Sequence, residues 1–333
     1  MNINDSPQLS AYNESLKDVG FMIKTFEDNN QKKNVIFVLD ENVFIQNPIR
    51  ILQCIELAIK YNLSIDDQTQ KLMHENRFLI EKIQPEIVFE KLKQIMLSDD
   101  IKYYLENFYD LFFVIIPELG KSYNFNQYND YHIYDVYNHT ISVVSHTSPN
   151  LYLRLAALFH DIGKPDSFTQ DDKGIGHFYG HALKSVEIFN EFAKKYNLDE
   201  KTRKIVSDLI LFHQDELSKK NSNIYKFYKK FDMNNIGLLF MLKRADIMGQ
   251  NPKYKKNRLE RLELLEKKFL FIRDRIRGIS YSGKNLVKIG VDKKIIKLVL
   301  DDIKYKIITG QLKDDSDEID KYVSSKVLYK TNE

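Results

Sequence analysis

The 333 residues include 50 basic and 47 acidic side chains, so the net charge of +3 does not indicate nucleic-acid binding unless a basic surface is local. The single cysteine, Cys54, excludes an intrachain disulfide and a cysteine-based zinc cluster, which is typical of a reducing cytoplasm. No apolar run is long enough for a bilayer, and the first residues lack the basic and apolar regions of a signal peptide. We therefore expect a cytoplasmic protein without a membrane segment.

Residues 1–46 are predicted to be a short N-terminal segment, and they contain the one candidate for β structure. Residues 35–39 and 43–45 are apolar runs on either side of the turn sequence Asp40-Glu-Asn42. This pattern predicts either a hairpin or a pair of extended linker segments, and the sequence does not decide between them.

The rest of the chain is predicted to be mostly α, because it has only 12 Gly and 7 Pro and repeats apolar residues at helical spacing. Residues 47–120 should form one helical domain. Its apolar stripes are Ile51, Ile55, Ala58 and Ile59, ending near Asn62, and Ile87, Leu92 and Ile95 after Pro85. Residues 119–131 and 278–284 lack helical periodicity and are predicted boundaries. They delimit a second helical domain at 130–277 and a helical C-terminal region at 278–333, whose tail after residue 310 is charged.

Seven of the eight histidines lie between residues 132 and 213. His139 lies three residues after Val136 and four before Val143, so it faces the apolar side of a predicted helix. His146 shares that face but lies two turns, roughly 10 Å, away. Ligand bonds are only about 2 Å long, so the two histidines cannot bind one ion.

A His-Asp pair is predicted at the end of an almost wholly apolar helix. The apolar positions of this helix include Leu151, Leu155, Leu158 and Ile162. Gly163 is expected to be its left-handed C-terminal cap, which would place His160 and Asp161 in the last turn. A divalent cation there would satisfy both buried groups. Lys164 comes next and offers a point charge that suits a substrate phosphate.

Asp246 follows Leu239 and Leu242 at helical spacing, so this carboxylate is predicted to face the core. A buried carboxylate needs a cationic partner. The structural alternative is a salt bridge to Lys243 or Arg244, but adjacent helical residues face apart. The residue types therefore favour a metal ligand.

Three further histidines are candidates for a second metal ion or for hydrogen bonds to phosphate or water. His177 and His181 are four residues apart, but Gly176 and Gly180 argue against one helix through both. His181 is expected to open the helix 182–196, and His213 to end an apolar helix over 205–212.

Residues 253–277 carry ten basic and four acidic side chains above an apolar stripe. The stretch is either an ordinary solvated amphipathic helix or a phosphate-binding ridge. In the second case its first basic residues would contact RNA, namely Lys253, Lys255, Lys256 and Arg258.

The run His160-Asp-Ile-Gly-Lys-Pro165, with His139 and Asp246, resembles the HD superfamily of metal-dependent phosphohydrolases. The resemblance implies that His139, His160, Asp161 and Asp246 hold one divalent ion (Mn, Mg, Ni, Co, Fe or Zn), and it selects His139 over His146. In two-metal members, additional histidines between the doublet and the last aspartate bind a second ion.

A more specific resemblance is to bacterial CCA-adding tRNA nucleotidyltransferases. It covers roughly residues 40–312, with the neck and body helices at 47–120 and the HD region after them. The HD-region motifs are Tyr137-Asn-His-Thr, Phe168-Thr, Gly176-His-Phe-Tyr-Gly-His181 and Ala245-Asp-Ile-Met-Gly-Gln-Asn-Pro252. That family carries its polymerase chemistry in an N-terminal head with a Gly-Gly turn and two metal-binding aspartates.

The sequence departs from this family before and at the neck. Residues 1–46 contain no Gly-Gly and no Asp-x-Asp. The family's Glu-Asp-x-x-Arg template corresponds to Gln46-Asn-Pro-Ile-Arg50, where only Arg50, a candidate RNA contact, is kept. We therefore expect a protein that does not add CCA but keeps the HD hydrolase and the RNA-contacting body.

The resulting expectation is a metal-dependent phosphohydrolase or phosphodiesterase. Asp161 would orient the attacking water, and Lys164, with His181, would neutralise charge on the phosphate. The resemblance implies 2′,3′-cyclic phosphates, 2′-nucleotides or RNA ends, tRNA included, as substrates. The alternatives are a non-catalytic RNA-binding or adaptor protein with a structural metal, and the partner subunit of a split nucleotidyltransferase.

Overall fold

The computed structural model describes residues 13–14, 16–28, 31–130 and 133–326. His132 and the end of the predicted charged tail, residues 327–333, lie outside these ranges. The fold is mostly α, as predicted, with 66% helix and 7% strand. Contacts divide the chain into two compact units, residues 1–214 with 241–255 and residues 215–240 with 256–333. Within the described ranges, no helix is long and apolar enough to cross a membrane.

Residues 21–38 of the first unit form a hairpin, although its strands are not the pair that the sequence suggested. Strand β1 (Phe21–Asp28) pairs antiparallel with β2 (Gln31–Val38), and β3 (Ser64–Ile65) joins β2 in parallel. One face of the hairpin is apolar and buried, with Phe21, Ile23 and Ile36 at most 2% exposed. At the other strand edge, the Asn13 side chain bonds the backbone N–H and C=O of Ile23.

Neither alternative for residues 43–45, a strand or an extended linker, is correct, because they belong to helix α1 (Val43–Gln46). The Asp40 side chain accepts the N–H of Asn42, and the Asp40 carbonyl accepts the N–H of Val43. These bonds make a turn that leads directly into the helix. The partner of residues 35–38 therefore precedes them in the chain.

The first unit continues as a helical array in which Ile51, Ile55 and Ala58 are buried, as their spacing predicted. Its next helices are α2 (Ile49–Tyr61), α3 (Asp67–Asn76), α4 (Pro85–Met96), α5 (Ile101–Asn107), α6 (Tyr109–Ile115) and α7 (Pro117–Ser122), with a 3-10 turn at Arg77–Lys82.

Four helices then surround the His-Asp pair: α8 (Val136–Ser145), α9 (Leu151–Phe159), α10 (His181–Lys195) and α11 (Glu200–Phe212). Helix α9 packs against α4, α8, α10 and α11, which explains why it is apolar nearly all round. A short hairpin of β4 (Thr169–Gln170) and β5 (Gly176–His177) lies between α9 and α10.

Helix α9 ends one residue before the His-Asp pair, so His160 caps it and Asp161 lies in the following turn. The prediction that Gly163 is a left-handed cap is wrong, since it is not among the glycines with positive φ. Instead, packing leaves no room for a larger side chain at this position. A Cβ there would lie 2.6 Å from the His181 carbonyl oxygen and 2.7 Å from the Ser185 nitrogen.

The second unit has its own apolar core. Its residues come from α12 (Asn221–Phe227), part of α13 (Ile236–Gly249), most of α14 (Pro252–Gly278), α15 (Gly283–Lys288), α16 (Ile296–Thr309) and α17 (Ser316–Ser324). The buried residues of its C-terminal part are Tyr281, Leu286, Val291, Val299, Ile303, Ile307, Ile319 and Val323. The end of α14 at Gly278 and the start of α15 at Gly283 leave a short break.

Candidate metal centre

A first group of metal-ligand atoms joins His139 on α8, His160 at the end of α9 and Asp246 on α13. The Nε2 atoms of His139 and His160 are 3.4 Å apart. His139 Nε2 is 3.2 Å from Asp246 Oδ1. Both imidazoles are fully buried, and 18% of the Asp246 side chain is exposed.

A second group joins Asp161 with His181, the first residue of α10, and His213, which caps α11. Asp161 Oδ1 lies 3.2 Å from His181 Nε2 and 3.6 Å from His213 Nε2. The two imidazole Nε2 atoms are 3.4 Å apart. All three residues are buried.

Asp161 connects the two groups through its two carboxylate oxygens. While Oδ1 faces His181 and His213, Oδ2 lies 3.1 Å from His160 Nε2 and 3.4 Å from His139 Nε2. The structure therefore brings the four side chains of the predicted tetrad together and adds two of the three further histidines.

Backbone carbonyls orient all four imidazoles in the same way. The Nδ1 atoms lie 2.6–3.3 Å from the carbonyl oxygens of Gly249, Ala157, Phe178 and Ile210, in the order His139, His160, His181 and His213. A carbonyl only accepts, so each Nδ1 carries a proton and donates. The remaining nitrogen, Nε2, then directs a lone pair inward when the ring is neutral.

This donor set fits divalent metal ions. In each histidine pair the Nε2 atoms are 3.4 Å apart, so at most one of the two can carry a proton there, and neutral rings place acceptor against acceptor. Two nitrogens bonded to one metal at about 2.1 Å are about 3.0–3.4 Å apart for bond angles from octahedral to tetrahedral. The buried cluster is thus compatible with cations, although their identity does not follow from it.

Burial and ion pairing shift the pKa values of these groups in opposite directions. Burial lowers the pKa of His213 to about 4, which keeps this ring neutral near pH 7. Burial opposes ionisation of Asp161, but His160 and Lys164 outweigh it and hold its pKa well below the ordinary value. Burial also opposes ionisation of Asp246, whose pKa His139 nevertheless lowers. Both carboxylates are therefore anionic near neutral pH.

Lys164 supports the centre through Asp161. Its Nζ atom is 2.6 Å from Asp161 Oδ2 and 2.7 Å from Gln127 Oε1, and the side chain is buried. It also lies 5.3 Å from the centre of the Phe178 ring. The contact with a substrate phosphate that the sequence suggested remains a prediction.

His177 does not belong to either buried group. Its Nε2 atom is 3.0 Å from Asp171 Oδ2, and about a third of its side chain is exposed. As the glycines indicated, His177 ends β5 and α10 begins only at His181. His146 is exposed and bonds the Ser142 carbonyl.

The candidate RNA contacts lie on two helices. Arg50, on α2, donates from Nη1 to Gln53 Oε1. On α14, Lys255 is half-buried, whereas the other three are exposed, namely Lys253, Lys256 and Arg258. Their role toward RNA remains a prediction.

Sequence reasoning missed several polar residues that support the centre. Gln250 Nε2 donates to Asp246 Oδ1, and Lys243 Nζ donates to the His213 carbonyl. Ser185 Oγ accepts from Gly163 N–H and donates to the His160 carbonyl. Gln250 could have been predicted, because it lies four residues after Asp246 and this helical spacing brings side chains together. Ser185 could not, because its partners are more than 20 residues away in the sequence.

Comparison with known proteins agrees with the resemblance in the sequence. The HD domain family matches residues 130–276. The CC-adding tRNA nucleotidyltransferase of Thermus thermophilus is 27% identical over 62% of this chain and 50% of its own length. The multifunctional CCA protein of Paraburkholderia phymatum is 22% identical over 71% of this chain and 55% of its own length. The chain thus spans about half the length of these relatives.

Solved structures share the fold at lower identity. The Thermotoga maritima CCA-adding enzyme complexed with tRNA has a TM-score of 0.52 and 16% identity, covering 87% of this chain and 64% of that one. A CCA-adding enzyme with ATP has a TM-score of 0.53 and 17% identity, covering 90% and 64%. Residues 130–276 are therefore an HD domain, and the homology to CCA-adding enzymes covers their body and HD region.

Proposed function

We propose that this HD-domain protein is a metal-dependent phosphoester hydrolase that acts on nucleotides or RNA ends. The observation that carries the proposal is the pair of donor groups that share Asp161, with four imidazoles fixed so that their Nε2 atoms converge. A carboxylate between two groups of histidines is an arrangement that suits two ions in one phosphoester-cleaving site.

The residues would divide the work as follows. His139, His160 and Asp246 would hold one ion, and His181 and His213 a second, with Asp161 between them. When bound, such ions lower the pKa of water and neutralise phosphoryl oxygens. Asp246 is the most exposed of the six ligands, so substrate would reach the centre from its side.

Lys164 would keep Asp161 ionised and oriented. Its ammonium group bonds Oδ2, the oxygen that faces the first group, and Gln127 fixes it from the other side. A cation so close to the centre also favours the negative charge that develops on a phosphate during cleavage.

The substrate class rests on the relatives and on local charge. One matched relative is a CC-adding tRNA nucleotidyltransferase by name, another is a multifunctional CCA protein, and one structure with the same fold is complexed with tRNA. The exposed basic residues at the start of α14 would favour a phosphate backbone. We also propose that this protein does not add CCA to tRNA.

The test measures metal content and hydrolysis in the same preparation. We expect bound divalent metal by mass spectrometry, and turnover of 2′,3′-cyclic AMP or 2′-AMP that His213→Ala abolishes. His146→Ala is the matched control, since this exposed histidine should leave both readouts unchanged.

Two results would overturn the proposal. Bound metal without hydrolysis of any nucleotide, monoester or diester would favour the adaptor alternative. Incorporation of CTP or ATP into tRNA that lacks its CCA end would instead show polymerase activity.

A further inference from the structure

The loop between α9 and α10 carries an aromatic ring that the fold leaves in solvent. Tyr179 is 80% exposed, more than any other large hydrophobic residue in the described ranges. A tyrosine in this state contributes little to the core, so its ring is available to a ligand.

The ring nevertheless contacts a neighbouring side chain. It stacks on the His177 imidazole, with ring centres 5.4 Å apart and planes inclined by 7°. Tyr179 Oη lies 3.5 Å from His177 Nδ1, and His177 Nε2 lies 3.0 Å from Asp171 Oδ2. Asp171 is itself fixed, because its Oδ1 atom accepts the N–H groups of Lys173 and Ile175.

The backbone beneath the ring is fixed as well. Strand β5 presses against the segment before α8, where Gly176 N–H bonds the Tyr128 carbonyl and a Cβ on Gly176 would lie 2.5 Å from the Gln127 carbonyl oxygen. One face of the Tyr179 ring thus lies against His177, the backbone of the loop is packed against the preceding segment, and most of the ring is exposed to solvent.

The ring also lies next to the metal centre along the chain. The preceding residue, Phe178, accepts the His181 Nδ1 proton with its carbonyl and lies under the Lys164 ammonium with its ring. Tyr179 is two residues from His181, and two residues span at most about 7 Å. A phosphate at the centre and a ring on Tyr179 can therefore belong to one nucleotide.

We propose that Tyr179, backed by His177, is a stacking platform for the base of the substrate, which makes the centre selective for phosphoesters that carry a nucleobase. The proposal rests on the function proposed above and narrows its substrate class. Any base has a π-face, so the platform would select for the presence of a base rather than for its identity.

Binding can be tested apart from catalysis, because the chain contains no tryptophan. In Tyr179→Trp, the new indole is the one tryptophan and would report on stacking by its fluorescence. With Mg²⁺ present, AMP should quench it saturably, whereas ribose 5-phosphate should not. Tyr103→Trp is the control, at a residue that is 42% exposed on α5. Equal quenching of both variants, or of neither, would overturn the proposal.

Kinetics separates this proposal from the hydrolase proposal. The ratio of kcat/KM for 2′,3′-cyclic AMP to that for glycerol 2-phosphate should fall about tenfold in Tyr179→Ala, through KM, and recover in Tyr179→Phe. An unchanged ratio in an active enzyme would overturn the stacking proposal and leave the hydrolase proposal standing. If the wild type cleaves neither ester, these two compounds are excluded as substrates of the proposed hydrolase, and the fluorescence titration still decides whether Tyr179 binds a base.

Discussion

Two buried charges lie on the same stretch of chain and are satisfied in different ways. Arg154, on α9, is 3% exposed and donates to three carbonyls, those of Met96, Ser98 and Thr147. Asp161, just after α9, is 2% exposed and faces four imidazole nitrogens, with Lys164 as its ammonium partner.

The difference between them separates a structural charge from a candidate metal ligand. Around Arg154, both terminal guanidinium nitrogens donate to backbone carbonyls, and only Nε lacks a partner among the described residues. Around Asp161, four imidazole Nε2 atoms converge on each other and on a carboxylate, so a bound cation would complete the set. Changes at the first region should therefore affect folding, and changes at the second should affect metal binding and activity.

The largest effect is expected for Asp161→Asn. The substitution removes the charge shared by both donor groups, so both ions should be lost. Loss of an outer partner of a metal ligand costs about 10–100-fold, so loss of this shared ligand should lower kcat/KM by more than about 100-fold. Mass spectrometry and hydrolysis assays measure the two quantities. A variant that kept its metal would contradict the shared role of Asp161.

Arg154→Met should give the opposite result. It leaves three carbonyls without their donor and should lower the free energy of unfolding by about 3 kcal/mol. Denaturant titration measures this loss. Metal content per folded chain should equal that of the wild type, and a selective loss of metal would break the distinction between the two regions.

Two glycines should allow the donor groups to be weakened one at a time. Gly163→Ala places a Cβ against the backbone of α10 and should displace His181, in the second group. Gly249→Ala places one 3.0 Å from His139 Nδ1, in the first group. Each substitution should weaken metal binding by its own donor group about tenfold, which is typical when a residue that supports a metal ligand is changed. Histidine side-chain NMR during a Zn²⁺ titration would show which rings respond.

Gly237→Ala is the control for these variants. It lies on α13, like Gly249, but nothing lies within 4 Å of its added Cβ. Metal binding should not change. Equal weakening of both groups by either test variant would show that the groups are not separable.

The smallest effect is expected for Ser185→Ala. The hydroxyl bridges Gly163 N–H and the His160 carbonyl, and its loss leaves both buried groups unpaired. Stability should fall by about 1–2 kcal/mol, with less than tenfold weaker metal binding. Thermal unfolding with and without metal separates the two contributions. A metal loss as large as that of Asp161→Asn would contradict this ranking.

The sequence predicted the mostly α fold and the helices that position His139, His160 and Asp246. Each of these predictions needed only the spacing of apolar residues and the residue types within one helix. It could not show that His181 meets His213, since the two rings lie 32 positions apart and converge through the ends of two helices. Gly163 was assigned to a cap because local sequence cannot reveal an approaching backbone. The hairpin partner of residues 35–38 was sought at 43–45, because that apolar run follows a turn sequence, whereas β1 (Phe21–Asp28) lacks a clear alternation of apolar and polar residues.

The carbonyls that orient the histidines have a consequence for the order of assembly during synthesis. His160, His181 and His213 each bond a carbonyl three residues earlier in the chain, so each of these rings is oriented as soon as its own segment folds. His139 instead depends on Gly249, 110 residues later. A chain leaving the ribosome therefore holds every ligand of the second group once residue 213 has emerged, whereas the first group waits for Asp246.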